Sequence, residues 1–131
     1  MQLGYTIVYV PDVAQSLAFF EQAFGLKRRF LHESGEYGEL ETGATTLAFA
    51  SLAMGRSNLP QGFVAASESA QPLGFEIALV TPDVASAHAQ ALQAGATDIK
   101  PPEAKPWGQT VAYVRCPDGV LVELCSPLQA G

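Results

Sequence analysis

Residues 9–25, YVPDVAQSLAFFEQAFG, return in altered form as VTPDVASAHAQALQAGA at residues 80–96. With a shift of 71 places, Pro11, Asp12, Val13, Ala14, Ala18, Gln22 and Ala23 fall on Pro82, Asp83, Val84, Ala85, Ala89, Gln93 and Ala94. A repeat at fixed spacing means that one supersecondary unit has been built twice. Each copy reads as strand, cap and helix. Tyr5 to Val10 is rich in β-branched and aromatic residues, Asp12 can accept backbone N–H bonds as an N-cap, and Gln15 completes a box-like pattern. Val13, Leu17, Phe20 and Phe24 then form one apolar stripe, and Gly25 is placed to end the helix. The second copy runs from a strand at Phe75 to Val80, through cap Asp83, to a helix ending near Ala94 and Gly95.

After each helix the pattern changes to strands. The first half offers Lys27 to Glu33, Tyr37 to Glu41 and Thr45 to Leu52; the second offers Thr97 to Lys100, Thr110 to Arg115 and Val120 to Cys125, the last two joined by Pro117-Asp118-Gly119. The unit is therefore βαβββ, twice. A single such unit has too little core and an open sheet edge, so the two must pack together. The expected fold is α+β, with tandem βαβββ modules forming a cup-shaped mixed sheet and the helices outside. A single domain is expected over 1–131, with module one at 1–52, a linker at 53–72 that folds over a site, and module two at 73–127.

At 131 residues and 48% hydrophobic, the chain can bury one sizeable core without a disulfide or structural metal. Cys116 and Cys125 lack zinc-site spacing and fit reduced thiols. No apolar run approaches the roughly 18 residues of a membrane span, and no basic segment precedes the apolar N-terminal stretch. A cytoplasmic protein without membrane contact is expected. Seven Lys and Arg against thirteen Asp and Glu give a net charge of −6, which disfavours nucleic acid and favours cationic ligands.

Strand alternation sorts the faces. Phe75, Ile77 and Leu79 are the bulkier set and should meet the helix, which turns Glu76 into the cleft; Tyr5 is its counterpart by the 71-residue shift. On the strand GVLVEL, Val122 and Leu124 take the helix side, and Leu121, Glu123 and Cys125 take the cleft. Tyr5, Ile7 and Tyr9 form the corresponding set on the first strand. Phe49, Trp107 and Tyr113 add aromatic surface, and Gln109 adds a hydrogen-bonding amide. His32 reads as a solvated hairpin residue and His88 as a partly buried structural one.

Four stretches together, VPDVAQSLAFFEQAFGL, FEIALVTPDVASA, KPWGQTVAYVRCPDG and GVLVEL, resemble the vicinal oxygen chelate superfamily of glyoxalases, extradiol dioxygenases and bleomycin-resistance proteins. The resemblance implies a ligand in the cleft, frequent homodimers and, in metal-dependent members, four His, Gln or Glu ligands. Carried onto this chain, those places fall on Tyr5, Ala48, Glu76 and Glu123. In that family the four are, in order, His or Gln, Glu, His and Glu; only Glu123 is a clear match, Glu76 keeps a ligand of different charge where the family has His, and no metal site and no cofactor are assigned. Two readings stand beside each other. One is a small-molecule-binding cleft for a cationic or aromatic organic ligand, met by Tyr5, Ile7, Tyr9, Ala48, Phe49, Trp107, Gln109 and Tyr113 around the two carboxylates. The other is a metal-dependent or acid/base lyase, isomerase or dioxygenase of that superfamily that uses Glu76 and Glu123, either to hold a divalent metal with waters or as general acid and base.

Overall fold

The computed structural model describes residues 1–128; positions 129–131 of the single domain expected from the sequence lie outside the described residues. Twelve segments follow in order. They are β1 (Tyr5–Val10), α1 (Val13–Phe24), β2 (Lys27–Leu31), β3 (Tyr37–Glu41), β4 (Thr46–Ser51), α2 (Leu52–Asn58), a single 3-10 turn (Ala66–Glu68), β5 (Ile77–Val80), α3 (Val84–Ala94), β6 (Thr97–Ala104), β7 (Thr110–Arg115) and β8 (Leu121–Cys125). The strands make two four-stranded mixed sheets, ordered β1-β4-β3-β2 and β5-β8-β7-β6. In each, the outer pair β1–β4 or β5–β8 is parallel and the rest antiparallel. The modules are thus copies in topology as well as in sequence.

The helices form where local chemistry fixes their ends. Asp12 Oδ1 accepts from the Gln15 amide at 3.0 Å, and Asp83 Oδ1 accepts from the Ser86 amide at 3.1 Å. Gly25 closes α1 in the left-handed conformation at φ 69°, which a side chain rarely adopts. The buried stripe Val13, Leu17, Phe20 and Ala23 lies against sheet one, where the Phe20 ring sits 5.0 Å from that of Phe49. Helix α3 covers sheet two with Val84, His88 and Ala91 inward.

Two cross-links hold the modules together. Ser16 on α1 donates its hydroxyl to Asp118 Oδ2 at 2.7 Å, and Gln90 on α3 donates to the Gln22 carbonyl at 2.8 Å. The sheet edges at β1 and β5 lie alongside one another, with Thr6, Thr45 and Leu47 facing Glu76, Ile77 and Ala78 across a small cavity. The faces away from α1 and α3 form the inner surface of an open cup.

Several boundaries differ from the sequence reading. Ser51 accepts from the Met54 amide at 3.0 Å and caps a short helix, α2, inside what reads as linker. Strand β6 runs through Pro101 and Pro102 to Ala104, which an edge strand tolerates because its outward N–H groups need no ladder partner. Strand β5 begins at Ile77, two residues later than expected, and Phe75 is 49% exposed and not packed beneath α3.

Candidate functional site

The register of sheet two brings the two carboxylates together. Glu123 pairs with Ala78 on β5 and with Tyr113 on β7, and Ala78 lies two residues beyond Glu76, on the same face. Glu76 lies close enough to Glu123 for the two carboxylates to act on each other. The Tyr113 hydroxyl donates to Glu123 Oε1 at 2.8 Å. Glu76 is exposed, and the partial desolvation of its carboxyl raises its pKa above the usual carboxylate range, with the neighbouring Glu123 charge raising it further. Tyr113 is pushed up to about 12, first by its bond to Glu123, so it remains a proton donor throughout the neutral range. Cys125, two residues along, is also raised by burial.

Sheet one carries a different arrangement on its inner face. Ala48 pairs with Ile7 and with Glu39, the same positions that Glu123 takes between Ala78 and Tyr113. The inner face therefore has its carboxylate one strand over, at Glu39, which is 8% exposed. Arg29 holds it at 2.9 Å and also grips both oxygens of Glu41, at 2.6 and 3.1 Å, while Tyr37 donates to Glu39 at 2.7 Å. The bond to Arg29 keeps Glu41 below the usual carboxylate range. Glu39 escaped the sequence reading, although the alternation Tyr37-Glu39-Glu41 in YGELE was its signal.

The other expected ligand contacts divide. Tyr5 and Ile7 lie open on the inner face, 57% and 46% exposed. Tyr9 shares that face and packs its ring 5.0 Å from Phe63. Phe49 does not face the cup: it is fully buried under α1, because β4 turns its large residues Leu47 and Phe49 to the helix and its alanines inward. Ala48 faces inward but is sealed, with no exposed surface. Gln109 has both ends of its amide engaged, accepting from Trp107 Nε1 and donating to the Ser126 carbonyl, each at 2.8 Å. Trp107 stands 61% exposed at the β6–β7 hairpin, held by that bond and not by the carboxylates. Arg115 does not reach Glu123. It donates instead to the carbonyls of Gly119, Ala66, Ser69 and Ala70, fixing the linker as a strap across one end of the cup.

Outside the cup, His88 Nε2 pairs with Asp98 at 3.0 Å and His32 bonds Ser34 in its hairpin, which matches the structural reading of both.

The chain belongs to the Glyoxalase/Bleomycin resistance protein/Dioxygenase superfamily, whose family model matches residues 2–124. Among solved structures it is similar to a glyoxalase-related enzyme from Fulvimarina pelagi, at 21% identity, TM-score 0.81 and coverage of 97% of this chain and 88% of that one. It is similar also to a glyoxalase/bleomycin resistance protein/dioxygenase family enzyme from Burkholderia phytofirmans PsJN, at 22% identity, TM-score 0.78 and 96% and 98% coverage. TioX from Micromonospora sp. ML1 matches at 18% identity, TM-score 0.71, over 96% and 98%. No curated protein matches the chain.

The metal carried by some members of this superfamily finds a poor donor set here. Of the four corresponding places, Ala48 has no donor atom and Tyr5 offers a phenol, which leaves Glu76 and Glu123. Among the described residues, no three of His, Cys, Asp and Glu converge as a ligand group. The residues do not fit the four-ligand site.

Proposed function

We propose that this chain is a small-molecule-binding protein that receives an organic cation on the carboxylate pair Glu76–Glu123. The observation that carries the reading is the pair itself: two acidic groups side by side on the inner face, with no Lys or Arg among the described residues bonded to either. Two carboxylates so placed repel, and one of them relieves the repulsion either by keeping a proton or by taking a cation. The second option is satisfied by an ammonium group, with the Tyr113 ring beside it for cation–π contact. The net charge of −6 draws such a ligand toward the protein.

A second reading has one observation in its favour. The two carboxylates have unlike surroundings: Glu123 accepts from Tyr113, whereas burial and the charge on Glu123 raise the pKa of Glu76. That is how an acid is separated from a base in enzymes that move protons, so Glu76 can give a proton while Glu123 takes one.

The deciding experiment follows backbone amide shifts of the wild type and Glu123→Gln during titration with methylammonium chloride. Shifts at residues 76 and 123 that the substitution abolishes support the cation site. Unfolding midpoints of metal-stripped protein with Mn, Co, Ni, Zn or Mg complete the test. At a hundredfold over Kd, a bound metal adds about 2.7 kcal/mol. Such a gain in the wild type, lost in Glu123→Gln, overturns the metal-free reading.

A further inference from the structure

One member of the carboxylate pair also lines a cavity. Strands β1 and β5 are the free edges of the two sheets and no ladder joins them, which leaves a gap of about 290 Å³ between the modules. Glu76 lines this gap just ahead of β5, and Thr6, Thr42 and Thr45 line it from module one. Glu123 does not line it. A ligand held there reaches the pair through Glu76 alone.

Two of the three threonine hydroxyl protons are already committed. Thr42 donates to the Thr45 carbonyl at 2.8 Å and accepts from the Leu47 amide at 2.9 Å, and Thr45 donates to the Leu3 carbonyl at 3.1 Å. A hydroxyl has one proton and two lone pairs, so both oxygens can still accept and neither can donate. An ionised Glu76 also only accepts. Thr6 can turn its hydroxyl either way, and the free strand edges offer N–H and C=O groups alike, so these favour neither donor nor acceptor. The side chains with fixed roles therefore call for a ligand that brings several protons. The rest of the wall is aliphatic: Leu47, Ile77 and Leu79 line the gap, and no aromatic ring, Lys or Arg among the described residues does. A quaternary ammonium carries no N–H and finds no aromatic face here to replace its hydration, whereas a primary ammonium carries three donors.

We infer that the cation received at Glu76 is a primary alkylammonium, its N–H groups on Glu76 and the threonine oxygens and its aliphatic chain along Leu47, Ile77 and Leu79. The inference rests on the cation reading of the Glu76–Glu123 pair. The length of the chain follows from size: a cavity of roughly 150 Å³ holds benzene, so the gap has room for a chain of about four to six carbons.

The test follows backbone amide shifts of the wild type, Thr45→Val and Thr45→Ser during titration with butylammonium and tetramethylammonium chlorides. The two cations have the same carbon and nitrogen content and differ in their N–H groups. In the wild type, butylammonium moves residues 45, 47 and 77 together with 76 and 123. It binds about tenfold tighter than tetramethylammonium or better, the factor that one charge-assisted hydrogen bond supplies. Thr45→Val keeps the shape, removes the accepting oxygen and narrows that ratio; Thr45→Ser keeps the oxygen and the ratio. The wild-type comparison and Thr45→Ser decide the question if Thr45→Val, without its bond to Leu3, loses its fold. Equal affinities for the two cations, with residues 45, 47 and 77 unmoved, overturn the inference and leave the cation site standing. Failure of both cations to move residues 76 and 123 overturns the cation reading and the inference with it.

Discussion

Ala48 stands in the first half of the chain where Glu123 stands in the second: Ala48 pairs with Ile7 across two parallel strands, and Glu123 pairs with Ala78 in the same way. One is sealed and carries no donor; the other accepts from Tyr113 on the open face. The two halves of one duplicated framework thus hold different chemistry at one position, and the difference can be tested directly.

Restoring a carboxylate in the first half does not restore a site. Ala48→Glu forces a longer, charged side chain into a fully buried place beside Glu39, which already has its partners in Arg29 and Tyr37. The expected cost is about 3 kcal/mol or more from overpacking and from an unpaired buried charge. Urea unfolding measures it, and a variant as stable as the wild type would show that β4 has room on its inner side.

Glu76 sets a pH dependence whose sign is fixed by the geometry. Its folded pKa lies above the unfolded value of 4.5, so between those two values the native state binds more protons than the unfolded state. Stability therefore falls as pH rises through that window. Below it both states are protonated and the penalty disappears. Glu76→Gln is expected to raise the unfolding midpoint at pH 7 and to leave it unchanged near pH 3. The gain is small, on the order of a few tenths of a kcal/mol, because Glu76 is exposed and solvent screens its repulsion. A gain that persists undiminished at low pH contradicts this account of the residue.

Gly119 and Gly43 have nearly the same backbone, φ 92° and 91°, in very different surroundings. A Cβ at Gly43 meets open space, whereas one at Gly119 runs into the Ala66 carbonyl that Arg115 also binds. Gly43→Ala should cost about 1–2 kcal/mol for the left-handed backbone alone. Gly119→Ala adds a clash with the strap and should cost about 3 kcal/mol or more. Equal costs, measured by denaturant midpoints, would mean that the strap yields to the turn.

What could be read from the sequence was whatever a few neighbouring residues decide. Strands β1, β3 and β7 fall where alternation placed them, and both long helices start at the Asp and stop at the Gly that the cap rules select. The inward turn of Glu123 was legible because Val122 and Leu124 are bulky and apolar on either side of it. Phe49 was not read correctly, because every residue from Thr46 to Ala50 is buried and burial alone does not mark a face. Residue size does: Leu47 and Phe49 against Ala48 and Ala50. Helix α2 was missed because Gly55, Ser57 and Asn58 are weak helix formers, and its start depends on the Ser51 cap. The Arg115 strap could not be read at all. Its bonds go to backbone carbonyls 45 to 49 residues away, and a carbonyl leaves no trace in residue type.

On the cation reading proposed above, the Arg29 cluster bears on how many ligands one chain takes. A duplicated framework starts with two equivalent inner faces and so with two equivalent places for a ligand. In sheet one, a guanidinium already spans Glu39 and Glu41, with Thr46 at 3.2 Å, and stands where an incoming cation would have to go. The protein carries its own internal occupant on that side. The cation reading proposed above therefore predicts one ligand per chain, with any cooperativity arising between chains and not between the halves of one.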